Sequence, residues 1–433
     1  MATRRPRLIE RRKAVGHTQE SLAEAMEVDR TTVGRWESGH AAPQPWMRPK
    51  LAGVFGITVD QLADLLDRLD GPTGARPEIV PVQLPQAQRP ASPRDMVAAI
   101  ATDSAESALF LRFASTTNVD EILLEQLEAD IARLAVEYVS RPVPDLIHEI
   151  SSMRRGVFDL LQGRQHPQQT IRLYLAAGRL SGLATHIALD LGHYAVAATH
   201  ARTSWLCAEH AGHNGLRAWV RSIQSLIAYW QRDYAQAAEL ARAGMPYSDG
   251  GTMGARLLSL EARACAASGG QAGTLRAIES AAEARTGTTG VDLPGVFTFP
   301  EAKQWAYAGT ALLALGNTRW VPQAISASHL AIALYQAAPE ADQSSGDLLA
   351  AHLDLANAHL ASRDTDGAQD ALNVVMQARP ERLTASIAKR LQALNRSLAS
   401  QPYAGSPALL SLRENVQEAC SRPVLTTTSE PST

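Results

Sequence analysis

Twenty-four residues near the start of the chain, Gly16–Gly39 (GHTQESLAEAMEVDRTTVGRWESG), constrain its fold more than any other stretch. Their apolar positions and polar caps predict two short helices meeting at a tight turn. Thr18 is placed to cap the first, whose inward side is Leu22, Ala23 and Met26. Asp29 is placed to cap the second, which carries Val33 and Trp36 inward, and Gly39 ends it. Ala23 is small where the two helices must cross closely, and Val28, between them, fills the angle.

This helix-turn-helix layout resembles the DNA-binding domain of phage repressors and of the xenobiotic-response-element regulators. The resemblance rests on TQExLAxxM, on the Val-x-x-Trp-Glu-x-Gly run and on the downstream LAGVFGITVDQL, and covers about residues 7–66. It implies five helices, the first at 7–15 and the last two at 45–55 and 59–69. Glu27 stands at a turn position where the family often has glycine. Left-handed backbone there would cost a residue with a side chain ~1–2 kcal/mol. Carried over position by position, the base-reading residues are Arg30, Thr31 and Arg35, arginine offering two donors to the two major-groove acceptors of guanine. Gln19 and Thr32 match positions that hold backbone phosphates at a helix N-terminus. Arg12 and Glu37 match a pair that ties the first helix to the end of the recognition helix. The alternative for Arg30 and Arg35 is a pair of solvated surface charges.

The net charge is only −3, but residues 1–50 hold ten Lys or Arg against six Asp or Glu, so the basic footprint is local to the motif. With no apolar run of membrane-spanning length and no secretory segment, a soluble cytoplasmic protein is expected. Cys207, Cys265 and Cys420 are isolated and read as reduced, buried thiols rather than a disulfide framework or zinc ribbon. Six prolines between Gly71 and Pro93 predict a linker, and the polar Ser421–Thr433 predicts a disordered tail.

From about Arg94 to Ala399 nearly everything reads as helix, and it repeats. Tyr194–Arg202 (YAVAATHAR) returns forty residues later as Tyr234–Arg242 (YAQAAELAR), with an echo after Asp364 (DTDGAQDAL), each opening the second helix of a hairpin. Small residues at Ala197, Ala201, Ala237 and Ala241 let neighbouring helices pack closely, as a stack of helical hairpins requires. The pattern resembles tetratricopeptide repeats in a lengthened form, with hairpins expected near 171–210, 215–244, 252–285, 299–337 and 346–378 and a closing helix at 381–399. Stretches such as LYLAAGRLSGL, AEHAGHNGLRAWV and DLANAHLASRDTDGAQDAL resemble actinobacterial regulators that join a repressor-type domain to such repeats. The architecture is also similar to peptide-pheromone-controlled regulators, whose repeats bind a peptide in a concave face; that likeness is analogy. The resemblance places Arg179, His186, Asp190, Trp219, Tyr229, Trp230 and Asn357 on the concave face as candidate ligand residues. Trp219 and Trp230, eleven apart on one helix, read equally as core.

Other chemistry is thin. Cys207, His210 and His213 are suggestively spaced, but Gly212 separates the histidines and no fourth ligand is evident, so no metal is expected. No nucleotide loop, dinucleotide fingerprint, zinc-protease pair or nucleophile elbow is present, so neither cofactor nor catalysis is expected. The sequence therefore predicts an all-α chain: a DNA-binding domain at 1–70, a linker at 71–93, an α-solenoid for sensing and dimerisation at 94–420, and a tail at 421–433. The expected partners are a palindromic double-stranded operator, a second copy of the chain and a peptide or small-molecule effector, with no membrane. The competing readings are a DNA-tethered protein–protein scaffold and a plasmid-control or antitoxin-type repressor without an effector.

Overall fold

The computed structural model describes residues 5–44, 47–67, 92–248, 250–290, 292–339, 342–379, 382–399 and 407–421. It divides into two compact units, residues 1–99 and 100–433. Among the described residues every regular element is helical, and no helix is long and apolar enough to cross a membrane. Residues 71–91 of the expected linker and 422–433 of the expected tail lie outside the described residues.

The first unit has five short helices: α1 (Pro6–Ala14), α2 (Gln19–Met26), α3 (Arg30–Glu37), α4 (Arg48–Phe55) and α5 (Val59–Asp67). The expected caps form. Thr18 and Ser21 make a reciprocal capping box at the start of α2, and the Asp29 carboxylate accepts from the Thr31 N–H (2.7 Å) at the start of α3. Between them Glu27 is left-handed, at φ 57°. The fourth helix starts at Arg48 rather than 45, because Pro49, with no N–H to pair, sits in its first turn. Leu8, Leu22, Ala23, Met26, Val33, Trp36, Leu51, Phe55 and Leu62 form one core, with Val28 packed against it.

The second unit begins within α6 (Pro93–Ala114), and α7 (Glu121–Ser140) and α8 (Val143–Leu161) follow. Then come antiparallel hairpins: α9 (Pro167–Asp190) with α10 (Tyr194–Ala211), α11 (Asn214–Trp230) with α12 (Tyr234–Gly244), and α13 (Met253–Ala267) with α14 (Gln271–Thr286). The series continues with α15 (Glu301–Ala314) and α16 (Val321–Ala337), α17 (Ser345–Ala361) and α18 (Thr365–Met376), and α19 (Ala385–Ala399) and α20 (Pro407–Ser421). The expected hairpins are therefore present, and the expected closing helix has a partner of its own.

The seams between helices are built of small side chains. Ala197 and Ala201 on α10, and Ala237 and Ala241 on α12, are fully buried, as the repeat requires. Ala277 and Ala281 on α14 continue the same forty-residue step. Gly182 on α9 lies beneath the Trp219 ring of α11, where any Cβ would overlap the ring. The stack also returns on itself. Lys389 of α19 donates to the Trp230 carbonyl (2.9 Å) and stands 4.3 Å from the Tyr194 ring centre, and Arg382 donates to the Ser140 carbonyl. An open array predicts no such contact between its ends. Of the three cysteines, Cys207 is buried, with its thiol pushed up to about 11 by burial, whereas Cys265 and Cys420 are only half-buried.

Replacing Gly182 by Ala should lower the stability of the second unit by ~1–3 kcal/mol through overpacking. Adding Trp219→Phe to that variant should restore part of the loss, although Trp219→Phe alone destabilises. Urea unfolding of the full chain followed by far-ultraviolet circular dichroism measures both; no recovery in the double variant would place the clash elsewhere.

Candidate nucleic-acid interface and cavity

In the first unit, α3 turns Val33, Trp36 and Glu37 inward and leaves Arg30, Thr31 and Arg35 exposed. This follows from the helical period, since 33, 36 and 37 share the face opposite 31 and 35. All three residues expected to read bases are exposed, Thr31 and Arg35 on one face of the helix and Arg30 at its first position. Arg30 is held by Glu20 (2.7 Å), an exposed ion pair and so a weak one. Thr31 Oγ1 donates to Asp29 (2.7 Å), and Thr32, half-buried, extends the first turn through its N–H to the Asp29 carbonyl (2.9 Å).

Below this surface lies the expected structural pair. Arg12 Nε donates to Glu37 Oε1 at 2.6 Å, with both side chains buried, and Gln19 Nε2 donates to Glu37 Oε2, also at 2.6 Å. Gln19, expected against a phosphate, is thus tied to the end of α3 and fixes the start of α2 relative to it. The basic footprint is smaller than the charge count implies. Arg5 donates to the carbonyls of Leu66 (2.8 Å), Trp36 (2.9 Å) and Ala41 (2.7 Å), and Arg11 to that of Phe55 (3.0 Å), so with Arg12 three early arginines hold helices together. One residue escaped the sequence reading. Gly34 lies mid-helix between Arg30 and Arg35, and a Cβ there would meet no atom within 4 Å, so the fold itself does not demand glycine. The signal was visible: glycine inside a helix costs stability relative to alanine.

The second unit encloses a cavity of about 530 Å³. Its wall comes mainly from the first helices of successive hairpins: His186 and Asp190 on α9, Trp230 on α11, Arg256 and Arg263 on α13, Lys303 and Tyr307 on α15, Asp347 and Asp354 on α17, and Arg390 on α19. The segment Pro294–Thr298, between α14 and α15, completes it. Of the expected ligand residues, His186, Asp190 and Trp230 line this cavity. Arg179 and Trp219 line a second of about 280 Å³, where Trp219 is almost fully buried, donates to the Val296 carbonyl (3.3 Å) and packs on Phe297. Tyr229 lines neither and stacks on Arg263; Asn357 also lines neither, its amide donating to the Leu353 carbonyl (2.9 Å). The sequence reading missed Arg256, Arg263, Lys303, Tyr307, Asp347, Asp354 and Arg390. Their signal was a seven-residue step of polar residues on otherwise Ala- and Leu-rich first helices: Arg256 to Arg263, Lys303 to Thr310, Asp347 to Asp354.

Most of these charges are paired. Lys303 bonds Asp347 (2.9 Å), and Asp354 receives Arg390 and Thr310. Burial holds His186 well below the usual histidine range, so it is neutral. Asp190 accepts from the Tyr138 hydroxyl, yet burial still pushes its carboxyl up to about 6. A carboxyl raised on folding binds its proton more tightly in the native state, so its stabilising contribution is present at low pH and is lost as pH rises through about 6. Asp190→Asn should therefore stabilise the chain at pH 8 relative to the parent, and that advantage should vanish as pH falls from 6 toward 4. Thermal midpoints of both proteins across this range check it; an advantage independent of pH would mean that the carboxylate is not the cause.

Neither the curated proteins nor the solved structures hold a match to the chain. Residues 8–62, covering α1 through the first half of α5 with the exposed face of α3, match the family model described as helix-turn-helix. The first unit is a helix-turn-helix domain, and the chain that carries it is a DNA-binding transcriptional regulator.

Proposed function

We propose that this regulator reads a palindromic operator as a cytoplasmic homodimer, without catalysis, and that its helical unit binds a small signal that sets how the two copies pair. The observation that carries the signal-binding half is the cavity of about 530 Å³, within the size range of ligand sites, whose wall is contributed by the first helix of hairpin after hairpin. The forty-residue step of buried alanines at 197, 237 and 277 supports the likeness to lengthened tetratricopeptide arrays. Self-association is supported by α6, on which Met96, Val97, Ile100, Leu109, Phe110, Leu111 and Phe113 are all more than half exposed. A helix with so much apolar surface in water gains from a second copy against it.

On DNA, Arg30, Thr31 and Arg35 read base edges and Thr32 holds the adjacent backbone. Gly34 lets α3 approach the groove floor more closely than a side chain would allow. Arg30→Ala or Arg35→Ala should cost ~1–3 kcal/mol on the true operator and much less on unrelated DNA. Gly34→Ala should raise the stability of the first unit by ~0.5–1 kcal/mol while weakening operator binding. Fluorescence anisotropy on specific and random duplexes, with thermal unfolding in parallel, decides this. Equal losses on both duplexes would reduce the arginines to phosphate contacts, and unimpaired binding by Gly34→Ala would remove the close approach.

A signal acting through pairing has a separate consequence. It should change affinity for the whole palindrome but leave a single half-site bound to residues 1–70 unaffected. Titrating the full chain and that fragment against whole and half operators, with and without an effector obtained by native mass spectrometry of purified protein, tests it. An effector that altered half-site binding by the fragment would place the sensor in the DNA-binding unit.

A further inference from the structure

We propose that the cavity of the helical unit is a receptor site for a small organic carboxylate, whose charge is taken by Arg263 and Arg256 and whose apolar or aromatic body lies against Trp230 and Tyr307. The proposal rests on the reading that this unit binds a signal, and names the chemistry of that signal.

The argument is one of unmatched charge. Six cations and four carboxylates line the cavity; of the carboxylates, Asp190 bonds the Tyr138 hydroxyl and Asp342 is exposed. Lys303 is paired with Asp347, Arg390 with Asp354, and Arg141 with Glu137. Arg382 donates to the Ser140 carbonyl and the Ser345 hydroxyl. Arg256 and Arg263 remain, seven residues apart and therefore on one face of α13, both more than nine-tenths buried. Neither makes an ion pair with any described carboxylate. Arg256 donates to the carbonyls of Val296 (2.7 Å) and Thr298 (2.8 Å), which occupy donors without neutralising charge, and burial pushes it down to about 10.

Arg263 is the sharper case. Its guanidinium carbon lies 4.3 Å from the Tyr229 ring centre and 4.2 Å from that of Tyr307, so aromatic faces flank it. Its Nε and Nη2 have no hydrogen-bond partner. Those two nitrogens form one edge of the guanidinium, the edge that receives both oxygens of a carboxylate in parallel. Arg12, the other buried arginine among the described residues, is given a carboxylate, Glu37. A neutral ligand would satisfy donors but leave two buried charges, and a cation would add a third. The cavity volume suits an organic acid or a very short peptide terminus and not an extended chain.

The test uses the full-length protein and four probes: phenylacetate and N-acetylphenylalanine, which separate a plain acid from a peptide carboxyl terminus, and the amide of each. At millimolar concentration at least one acid should raise the thermal midpoint by several degrees, and its amide should not. Arg263→Lys, which keeps the charge but loses the edge, should weaken acid binding at least tenfold by calorimetry, and Arg263→Met should abolish the shift. Amides that stabilise as well as acids, or an acid shift that survives Arg263→Met, would overturn the assignment while leaving signal binding intact. Where neither acid binds, the assignment is overturned. Operator affinity measured beside these titrations keeps the two ideas apart, since a bound acid that leaves it unchanged counts against the signalling role and not against the site.

Discussion

Close approach of helices is the constraint on which the second unit depends. Ala197, Ala237 and Ala277 occupy equivalent places on α10, α12 and α14, each followed four residues later by another buried alanine. Two buried methyl groups one turn apart leave a helix flat enough for its neighbours to approach nearly backbone to backbone. Where the approach is closer still, glycine replaces alanine: Gly182 beneath Trp219, Gly178 beside Leu216, Gly244 beside Leu257. Dispersion contacts accumulate across such seams because no side chain holds the helices apart. The larger apolar side chains are displaced to either side, and so are the polar ones. With the seams closed to long side chains, Arg256, Lys303, Asp347 and Arg390 project from the first helices toward the cavity, which is polar for that reason.

Polarity of that kind is costly unless matched. A buried charge is stable when a partner replaces the water it lost, as Glu37 does for Arg12. That pair shows what this chain does when a buried arginine is purely structural: the carboxylate is close, nearly inaccessible, and shared with a third group, Gln19. Lys303 with Asp347, and Arg390 with Asp354, follow the same rule inside the cavity. Arg256 and Arg263 do not, and the carbonyls and aromatic faces around them attract a cation without cancelling it. Sequences break such rules most often where a binding event completes the arrangement. The asymmetry within one wall is more telling than the presence of charge there.

The sequence carried the first unit almost entirely. Its helices are short and capped by side chains at fixed offsets, so Thr18 and Asp29 could be located from spacing, while the turn at Glu27 was marked by the family resemblance. Hairpin positions in the second unit were legible for a similar reason, since glycine turns and repeated alanines are local signals. What local pattern does not report is which buried face a residue joins. Apolar periodicity separates inside from outside, but a stack of hairpins has two interiors, the seam and the cavity. Trp219 and Trp230 sit on one helix and differ in just this way: the first is locked in the core over Gly182, the second lines the cavity. Apart from Arg12 paired with Glu37, and from Arg179 and Asp190, charged residues defaulted to solvent in the sequence reading, which is why Arg256 and Arg263 were passed over and Arg5 and Arg11 were counted in the basic footprint.

The same misassignment bears on how the reading head works. With Arg5, Arg11 and Arg12 committed to carbonyls and to Glu37, the described residues of the first unit keep few free cations, and Lys50 is itself paired with Glu27. Phosphate neutralisation supplies a large share of the affinity of proteins for DNA, so under the proposed function a head with few free charges among its described residues is expected to bind weakly on its own. A weak head is useful to a regulator that works in pairs. Two modest affinities joined in one dimer combine through effective concentration only while both half-sites are in reach, and that gain disappears when the geometry is wrong. Under the proposed function the internal use of these arginines and the control of pairing are one design: the first keeps a single head from holding the operator alone, and the second decides when two heads can.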